Sequence, residues 1–315
     1  LRCLVTGAAG FVGSHLSERL VALGHDVVGV DRFSAYYPLS HKEANLARLR
    51  DEPRFRLEAV DLCEADLVRL LDGCEVVFHV AAQAGVRSSW EGFDVYLRDN
   101  VLATQRLLEA ARRPGSTVRK VVYASSSSVY GDAPELPFRE SSPTVPCSPY
   151  GVTKLSAEQL CELYRRSFGL ATASLRYFTV YGPRQRPDMG FFRFIEATLS
   201  RRSIPLFGDG EQTRDFTFVA DIVEATRRAG EGGAVGIYNV GGGSRVTLNQ
   251  VLSLLGEIAG EVRVERRPSQ AGEMAHTWAD ISAAARDLGY APAVTLREGL
   301  EAQVAWHRSR RSDAA

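Results

Sequence analysis

The chain opens with Arg2-Cys-Leu-Val-Thr6, continues with Gly7-Ala-Ala-Gly10-Phe-Val-Gly13, and reaches Val27-Val-Gly-Val-Asp31 after a helical pattern over residues 14–23. Strand, glycine-rich turn, helix, strand and acid in this order predict a βαβ unit at the start of a parallel sheet. The glycines permit a tight turn and let backbone approach a pyrophosphate, which rests on the helix N-terminus. Gly7, Gly10, Phe11, Val12 and Gly13 are therefore expected to hold a dinucleotide. Asp31 lies 18 residues beyond Gly13, where a carboxylate accepts from both ribose hydroxyls and repels a 2′-phosphate. NAD is the expected cofactor. Arg32 reads the other way, since an arginine there is able to hold such a phosphate.

Working outward, Asp61-Leu62 follows the strand pattern of residues 55–60 and is expected near the adenine. Val76-Val-Phe-His-Val80 is another strand, leading into Ala81-Ala-Gln-Ala-Gly85-Val-Arg87. The small residues Ala81, Ala82 and Ala84 let a cofactor lie against the backbone. Asn100, assigned to the cofactor as well, starts a helical stretch over 101–112. His79 reads as a packed strand histidine rather than a base. The six histidines show no metal spacing, and no metal is expected.

The chemistry concentrates between residues 125 and 154. Ser125-Ser-Ser-Ser-Val-Tyr-Gly131 ends an apolar strand, and Ser148-Pro-Tyr-Gly-Val-Thr-Lys154 starts a helix expected over 150–168. Tyr150 and Lys154 are four apart on one helical face. A lysine ammonium beside a phenol favours the phenolate, so Lys154 is expected to lower the Tyr150 pKa. A tyrosine tuned in this way moves a proton on and off a hydroxyl. Taken alone, Tyr-x-x-x-Lys more often describes two residues that share a helix face.

Bulk properties narrow the class. At 315 residues the chain is long enough for a large core and two lobes. Basic and acidic side chains balance at 38 each, which argues against nucleic acid or an anionic membrane as partner. Lys42, Lys120 and Lys154 are the only lysines among many arginines. Five cysteines without paired metal spacing read as reduced thiols. No leader peptide or membrane-spanning run is read, and a cytoplasmic location is expected.

After residue 178 the pattern turns irregular. Helices are expected over 191–202, 248–259 and 296–308, and Gly236-Ile-Tyr-Asn-Val-Gly241 reads as a late strand returning to the first sheet. The expected fold is α/β: a Rossmann doubly wound parallel sheet with a smaller mixed α/β substrate lobe. Residues 1–178 plus about 218–262 are expected to form the NAD domain. Residues 179–217 plus about 263–315 would form the other.

Together these features resemble the nucleotide-sugar epimerases and dehydratases of the extended short-chain dehydrogenase/reductase family. The markers are Gly7/Gly10/Gly13, Asp31, residues 125–131, Tyr150/Lys154, Arg176-Tyr-Phe178, Arg214-Asp-Phe216 and Trp278-Ala-Asp280. The resemblance implies a tightly bound, recycled NAD touched also by Tyr177 and Val180. It implies catalysis by Tyr150, Lys154, Ser126 and Ser128. It implies a UDP-sugar held by Gly85, Val86, Arg87, Ser127, Thr179, Phe207 and Gln212, with Arg214 on the diphosphate and Glu273 on the nucleotide ribose. The alternative for Arg214 is an ion pair with Asp215.

Two places discriminate within the family. The 4,6-dehydratases carry an Asp-Glu pair, and the decarboxylating UDP-glucuronate enzymes usually a glutamate, where this chain has Ser126-Ser-Ser128. Hydroxyls alone favour simple 4-epimerisation. Gln83-Ala-Gly-Val-Arg87 and Gly182-Pro-Arg-Gln-Arg-Pro-Asp-Met189 closely resemble the UDP-glucuronate 4-epimerases. Arg186 is expected to face a C6 carboxylate; Arg184 and Arg193 are alternatives that read equally as exposed ion-pair residues. The expected reaction interconverts UDP-glucuronate and UDP-galacturonate through a 4-keto sugar. The other readings are a UDP-glucose or UDP-N-acetylglucosamine 4-epimerase, a decarboxylase or 4,6-dehydratase, and a silent NAD-binding scaffold. A homodimer paired through helices 101–112 and 150–168 is implied by resemblance.

Overall fold

The computed structural model describes residues 1–132, 135–268 and 274–312. Six strands alternate with helices through the first half: β1 (Arg2–Thr6), β2 (Asp26–Val30), β3 (Phe55–Glu58), β4 (Val76–His79), β5 (Lys120–Ser126) and β6 (Ala171–Tyr177). A seventh strand, Gly236–Val240, returns beside β6. The sheet order is Gly236–Val240, β6, β5, β4, β1, β2, β3, and every neighbouring pair is parallel. The order reverses between β1 and β4. A ligand crevice is expected outside the carboxyl ends of the strands at that point.

Strands buried on both faces need apolar residues on both sides, and this sheet has them. On one face Val5, Phe78, Val122 and Leu175 pack with Leu16 and Leu20 of the Phe11–Ala22 helix and Ile222 of the Val219–Glu231 helix. On the other, Leu4, Val77 and Val121 pack with Leu107 of the Ala103–Ala111 helix and Cys161 of the Pro149–Phe168 helix. Gly13 tightens the first turn. A Cβ there would lie 2.1 Å from the Gly7 carbonyl oxygen, so a side chain would push the helix off the loop.

The smaller lobe has its own core of Phe191, Ile195, Phe216, Val251, Leu255, Leu300 and Val304. It joins the helices Gly190–Leu199, Leu248–Ala259 and Leu296–Ser312. A parallel pair, Ser203–Phe207 with Arg263–Arg267, flanks it. The expected boundary near 262 does not follow this packing. Val251 and Leu255 belong to the smaller core, whereas Ala284 and Leu288 of the Ser282–Leu288 helix pack against the main sheet. An apolar helical stripe at 248–259 is visible in sequence; which of two cores it covers is not.

A buried polar knot fixes the Pro149–Phe168 helix to the sheet. Glu158, fully buried in the Pro149–Phe168 helix, accepts Arg176 of β6 through two bonds, Nε to Oε2 at 3.0 Å and Nη2 to Oε1 at 2.6 Å. Ser125 of β5 donates to the same carboxylate at 2.7 Å. Arg176 also donates to the Tyr130 hydroxyl, which donates to Asn239 of the last strand. Removing one partner of such a pair leaves an uncompensated buried charge. Glu158→Gln is expected to lower stability by about 3–5 kcal/mol, read as an earlier urea midpoint at unchanged m-value; a midpoint equal to that of the parent would rule out this role.

Candidate active site

The carboxyl ends of β1, β2, β4, β5 and β6 open into one cavity of about 830 Å³, closed on its far side by the smaller lobe. Its floor is the glycine turn. Gly7 and Ala8 donate to the Val30 carbonyl, and Gly10 stands at the N-cap of the Phe11–Ala22 helix with no side chain capping it. The first amide groups of that helix are thus open to an anion. Asp31, at the end of β2, is buried and accepts from the Ala9 and Phe33 amides at 3.2 and 2.8 Å. It also forms a buried 2.8 Å pair with Lys42. Arg32 is committed to Asp99 through both terminal nitrogens and reaches Asp61 at 3.3 Å. Beside two carboxylates it is no phosphate receptor, so the reservation about a 2′-phosphate falls. A bare helix start, a glycine cradle and an acid at the ribose position fit NAD.

Almost every residue expected at the site lines this cavity. Along the cofactor path lie Asp61, Leu62, Ala81, Ala82, Ala84, Tyr177 and Val180; the Tyr177 hydroxyl bonds Thr226 and presents no free polar group. Around the catalytic centre lie Ser126, Ser127, Ser128, Tyr150, Lys154, Thr179 and Arg186. Toward the outer end lie Gly85, Val86, Arg87, Phe207, Gln212 and Arg214. The Arg87 guanidinium stands 4.8 Å over the Phe207 ring, and Gln212 donates to the Phe207 carbonyl at 2.9 Å. Arg214 donates to the Thr213 and Ala275 carbonyls. Asp215 is not its ion-pair partner: fully buried, it accepts from the Gly242 and Ala279 amides instead.

One expectation needs correction, one lies outside the described residues, and the two alternative arginines divide between an ion pair and the cavity. Asn100 does not line the cavity. It is buried beneath the loop and exchanges hydrogen bonds with the Gln83 backbone at 2.7 and 3.0 Å, so it shapes the cofactor wall without touching the cavity. Arg184 also stays outside; it pairs with Glu18 at 2.7 Å and ties the 182–189 loop to the first helix. Arg193 does line the cavity. Glu273 lies outside the described residues.

Tyr150 and Lys154 share a face of the Pro149–Phe168 helix, as read. Ser148 caps that helix by accepting from the Gly151 amide at 3.1 Å. The electrostatics differ from expectation. Burial pushes the Tyr150 phenol up; the Arg186 charge and a hydrogen bond from Ser126 pull it back. Lys154 is not the cation that does this. Buried, with its Nζ 4.4 Å over the Tyr123 ring, it has its own ammonium lowered by desolvation to about 7. His79, behind it, is buried between the Thr6 and Thr104 hydroxyls and depressed to about 3 by burial, which keeps it neutral and structural.

Sequence reading missed Tyr36, Lys42, Ser88, Asp99 and Asp188, all of which line the cavity. One signal was available. Lysine is scarce, and all three lysines are buried: Lys42 on Asp31, Lys154 at the centre, and Lys120 on the carbonyls of Gly232 and Ala234.

Residues 3–241 match the model of the NAD dependent epimerase/dehydratase family. The chain belongs to that family. NAD is accordingly its cofactor. Among similar proteins, an uncharacterised UDP-glucose epimerase, YtcB, of Bacillus subtilis is 45% identical over 97% of this chain and 98% of its own. A UDP-glucuronate 4-epimerase of Thermodesulfobacterium geofontis is 38% identical over 97% and 95%. The UDP-glucuronic acid 4-epimerase of Bacillus cereus, solved with UDP-glucuronic acid and NAD, superposes with a TM-score of 0.95. It is 41% identical and covers 98% of this chain and 100% of its own.

The buried lysine has a measurable consequence. A folded-state pKa below the ordinary lysine value means the folded protein binds fewer protons than the unfolded chain between about pH 7 and pH 10, so this site's contribution to stability rises across that window. Below about pH 7 both states are protonated and the penalty is complete. Lys154→Met is expected to stabilise the NAD-free protein at neutral pH by about 1–4 kcal/mol and to flatten that rise. Urea titrations at about pH 6 and about pH 9 measure both effects; a destabilised variant would contradict the burial argument.

Proposed function

We propose that the protein is an NAD-dependent 4-epimerase that interconverts UDP-glucuronate and UDP-galacturonate with the C6 carboxylate retained. The observation that carries this reading is Arg186, which lines the same cavity as Tyr150, Thr179 and the hydroxyls of Ser126, Ser127 and Ser128. Among the described residues, the carboxylates lining the cavity are Asp31, Asp61 and Asp99 at the adenosine end, and Asp188 on Arg186. No acid lies in the Ser126–Ser128 turn to take a proton from C5 or deliver one to a leaving C6 hydroxyl. That supports epimerisation over dehydration. A guanidinium facing the sugar suits a carboxylate better than a hydroxymethyl group.

Bound NAD supplies a hydride acceptor that also returns the hydride, so the reaction needs no net oxidant. The chain's residues do the rest. Tyr150, with its proton withdrawn, takes the proton of the C4 hydroxyl and later gives it back. Ser126 and Ser128 donate to the C4 oxygen as it becomes a ketone. Lys154, which lines the cavity, holds the nicotinamide ribose in this reading. Arg214, Gln212 and Phe207, with Glu273 by resemblance, anchor the nucleotide while the sugar turns about its diphosphate link. Throughout, Arg186, Thr179 and the serine hydroxyls hold the carboxylate.

The assembly we propose is a homodimer. Leu97, Leu102, Val152, Leu163 and Phe168, exposed on the 97–111 and Pro149–Phe168 helices, support pairing through them. No described helix is long and apolar enough to cross a membrane.

Incubation of the purified protein with UDP-glucuronate and no added NAD is expected to give UDP-galacturonate and no pentose sugar, read by NMR. Tyr150→Phe is expected to lower kcat by about 10²–10⁴-fold with NAD still bound. Conversion of UDP-glucose but not of UDP-glucuronate would replace this reading with a hexose epimerase.

A further inference from the structure

We propose that Asp188 is a positioning residue: it clamps one edge of Arg186 so that the opposite edge faces the sugar carboxylate, and so guards the keto intermediate against loss of carbon dioxide. The inference rests on the proposed glucuronate reading and adds a residue to it.

The geometry is specific. Asp188 takes Arg186 side-on, Nε to Oδ1 at 3.0 Å and Nη2 to Oδ2 at 3.0 Å. A guanidinium has a second bidentate edge, formed by Nη1 and the remaining hydrogen of Nη2. With the first edge fixed in plane, the direction of the second is fixed as well. Both residues line the cavity that Tyr150, Ser126 and Ser128 also line. Asp188 thus aims Arg186 without filling the edge that a substrate carboxylate would use.

Asp188 is itself braced from the opposite wall. The Tyr36 hydroxyl donates to its Oδ2 at 3.4 Å and meets Ser88 Oγ at 3.4 Å. Ser88 bonds the Tyr96 hydroxyl at 2.6 Å, and Tyr96 stands 2.8 Å from the carbonyls of Ala84 and Gly85. These hydroxyls converge over Gly85, whose φ is +107° and where a Cβ would lie 2.3 Å from the Tyr36 hydroxyl. The base of the loop is held by Gln185, which is buried, donates to the Val180 carbonyl and accepts from the Phe192 amide and Gln303. An arginine needed only for charge would not need this frame; one that must hold a carboxylate at a set angle does.

The angle matters because the 4-keto sugar is a β-keto acid. Decarboxylation breaks the C5–C6 bond, leaves its electron pair in the enolate of the C4 ketone and expels carbon dioxide; a proton from water then gives the 4-keto pentose. The step requires the breaking bond to align with the carbonyl π system. A carboxylate held in another plane is protected. Loosening Arg186 therefore both weakens carboxylate binding and opens the leak.

The test compares wild-type holoenzyme with Asp188→Asn and Asp188→Glu, each confirmed folded by its thermal transition. Calorimetry gives Kd for UDP-glucuronate and for UDP-glucose, and NMR gives the epimer and pentose products with UDP-glucuronate as substrate. For Asp188→Asn the expected result is a Kd for UDP-glucuronate weakened by about tenfold or more, a Kd for UDP-glucose within about twofold of wild type, and new 4-keto pentose or pentose product. Asp188→Glu, which keeps the charge, is expected to lie between. Wild-type binding and products in Asp188→Asn would overturn the proposal, as would equal weakening of both ligands. A wild-type enzyme inert toward UDP-glucuronate would remove the glucuronate reading itself, and this inference with it; that result shows before any variant is tested.

Discussion

Much of this site hangs on the buried pair between Arg176 and Glu158. A charge in a protein interior is tolerated only when its partner and remaining hydrogen bonds are in place. Here the requirement is met by groups from five elements: Glu158 from the catalytic helix, Ser125 from β5, Arg176 from β6, Tyr130 from the turn that follows the serines, and Asn239 from the last strand. Satisfying the charge therefore fixes the helix that carries Tyr150 and Lys154 against the strand that carries Ser126. The alignment of Tyr150 and Lys154 with Ser126 thus follows from satisfying a buried charge.

A second balance is struck at the phenol. A tyrosine taken out of water is a poorer acid, and a lysine taken out of water is a poorer cation. The chain desolvates both, and the lysine does not correct the phenol. The correction comes across the cavity, from Arg186 on the 182–189 loop and from Ser126. The residue proposed to recognise the substrate thus also acts on the phenol proposed as the acid–base group.

The sheet was largely legible in the amino-acid order. Alternation of apolar strands with helical stripes, Gly7 to Gly13 and the acid at 31 led to the right architecture because each is a local requirement of a nucleotide-binding βαβ unit. The shared helix face of Tyr150 and Lys154 was legible for the same reason, the two being one helical turn apart. What escaped was set by distance along the chain. Asp188 stood inside a quoted motif, yet its partner Tyr36 lies 152 residues away. Asn100 has the composition of a ligand-binding residue, and only burial under Gln83 shows that it serves the loop. The share of the Leu248–Ala259 helix between two cores is likewise decided by partners that periodicity does not name.

The smaller lobe is not a single stretch of chain. The backbone leaves the main sheet after residue 177, returns by 219, leaves again after 240, returns by 282 and leaves a last time after 290. Bodies stitched together at five crossings have no single hinge on which to swing apart. A pyranose that presents both faces to Tyr150, as proposed, then has to turn over inside the cavity between these bodies. The clearance for that turn is set by the rim, by Arg87 over Phe207 and by Tyr36 across from Arg186, and bulk on the sugar ring meets it as friction. Such an enzyme sorts its substrates by the shape they sweep as well as by the charge they carry.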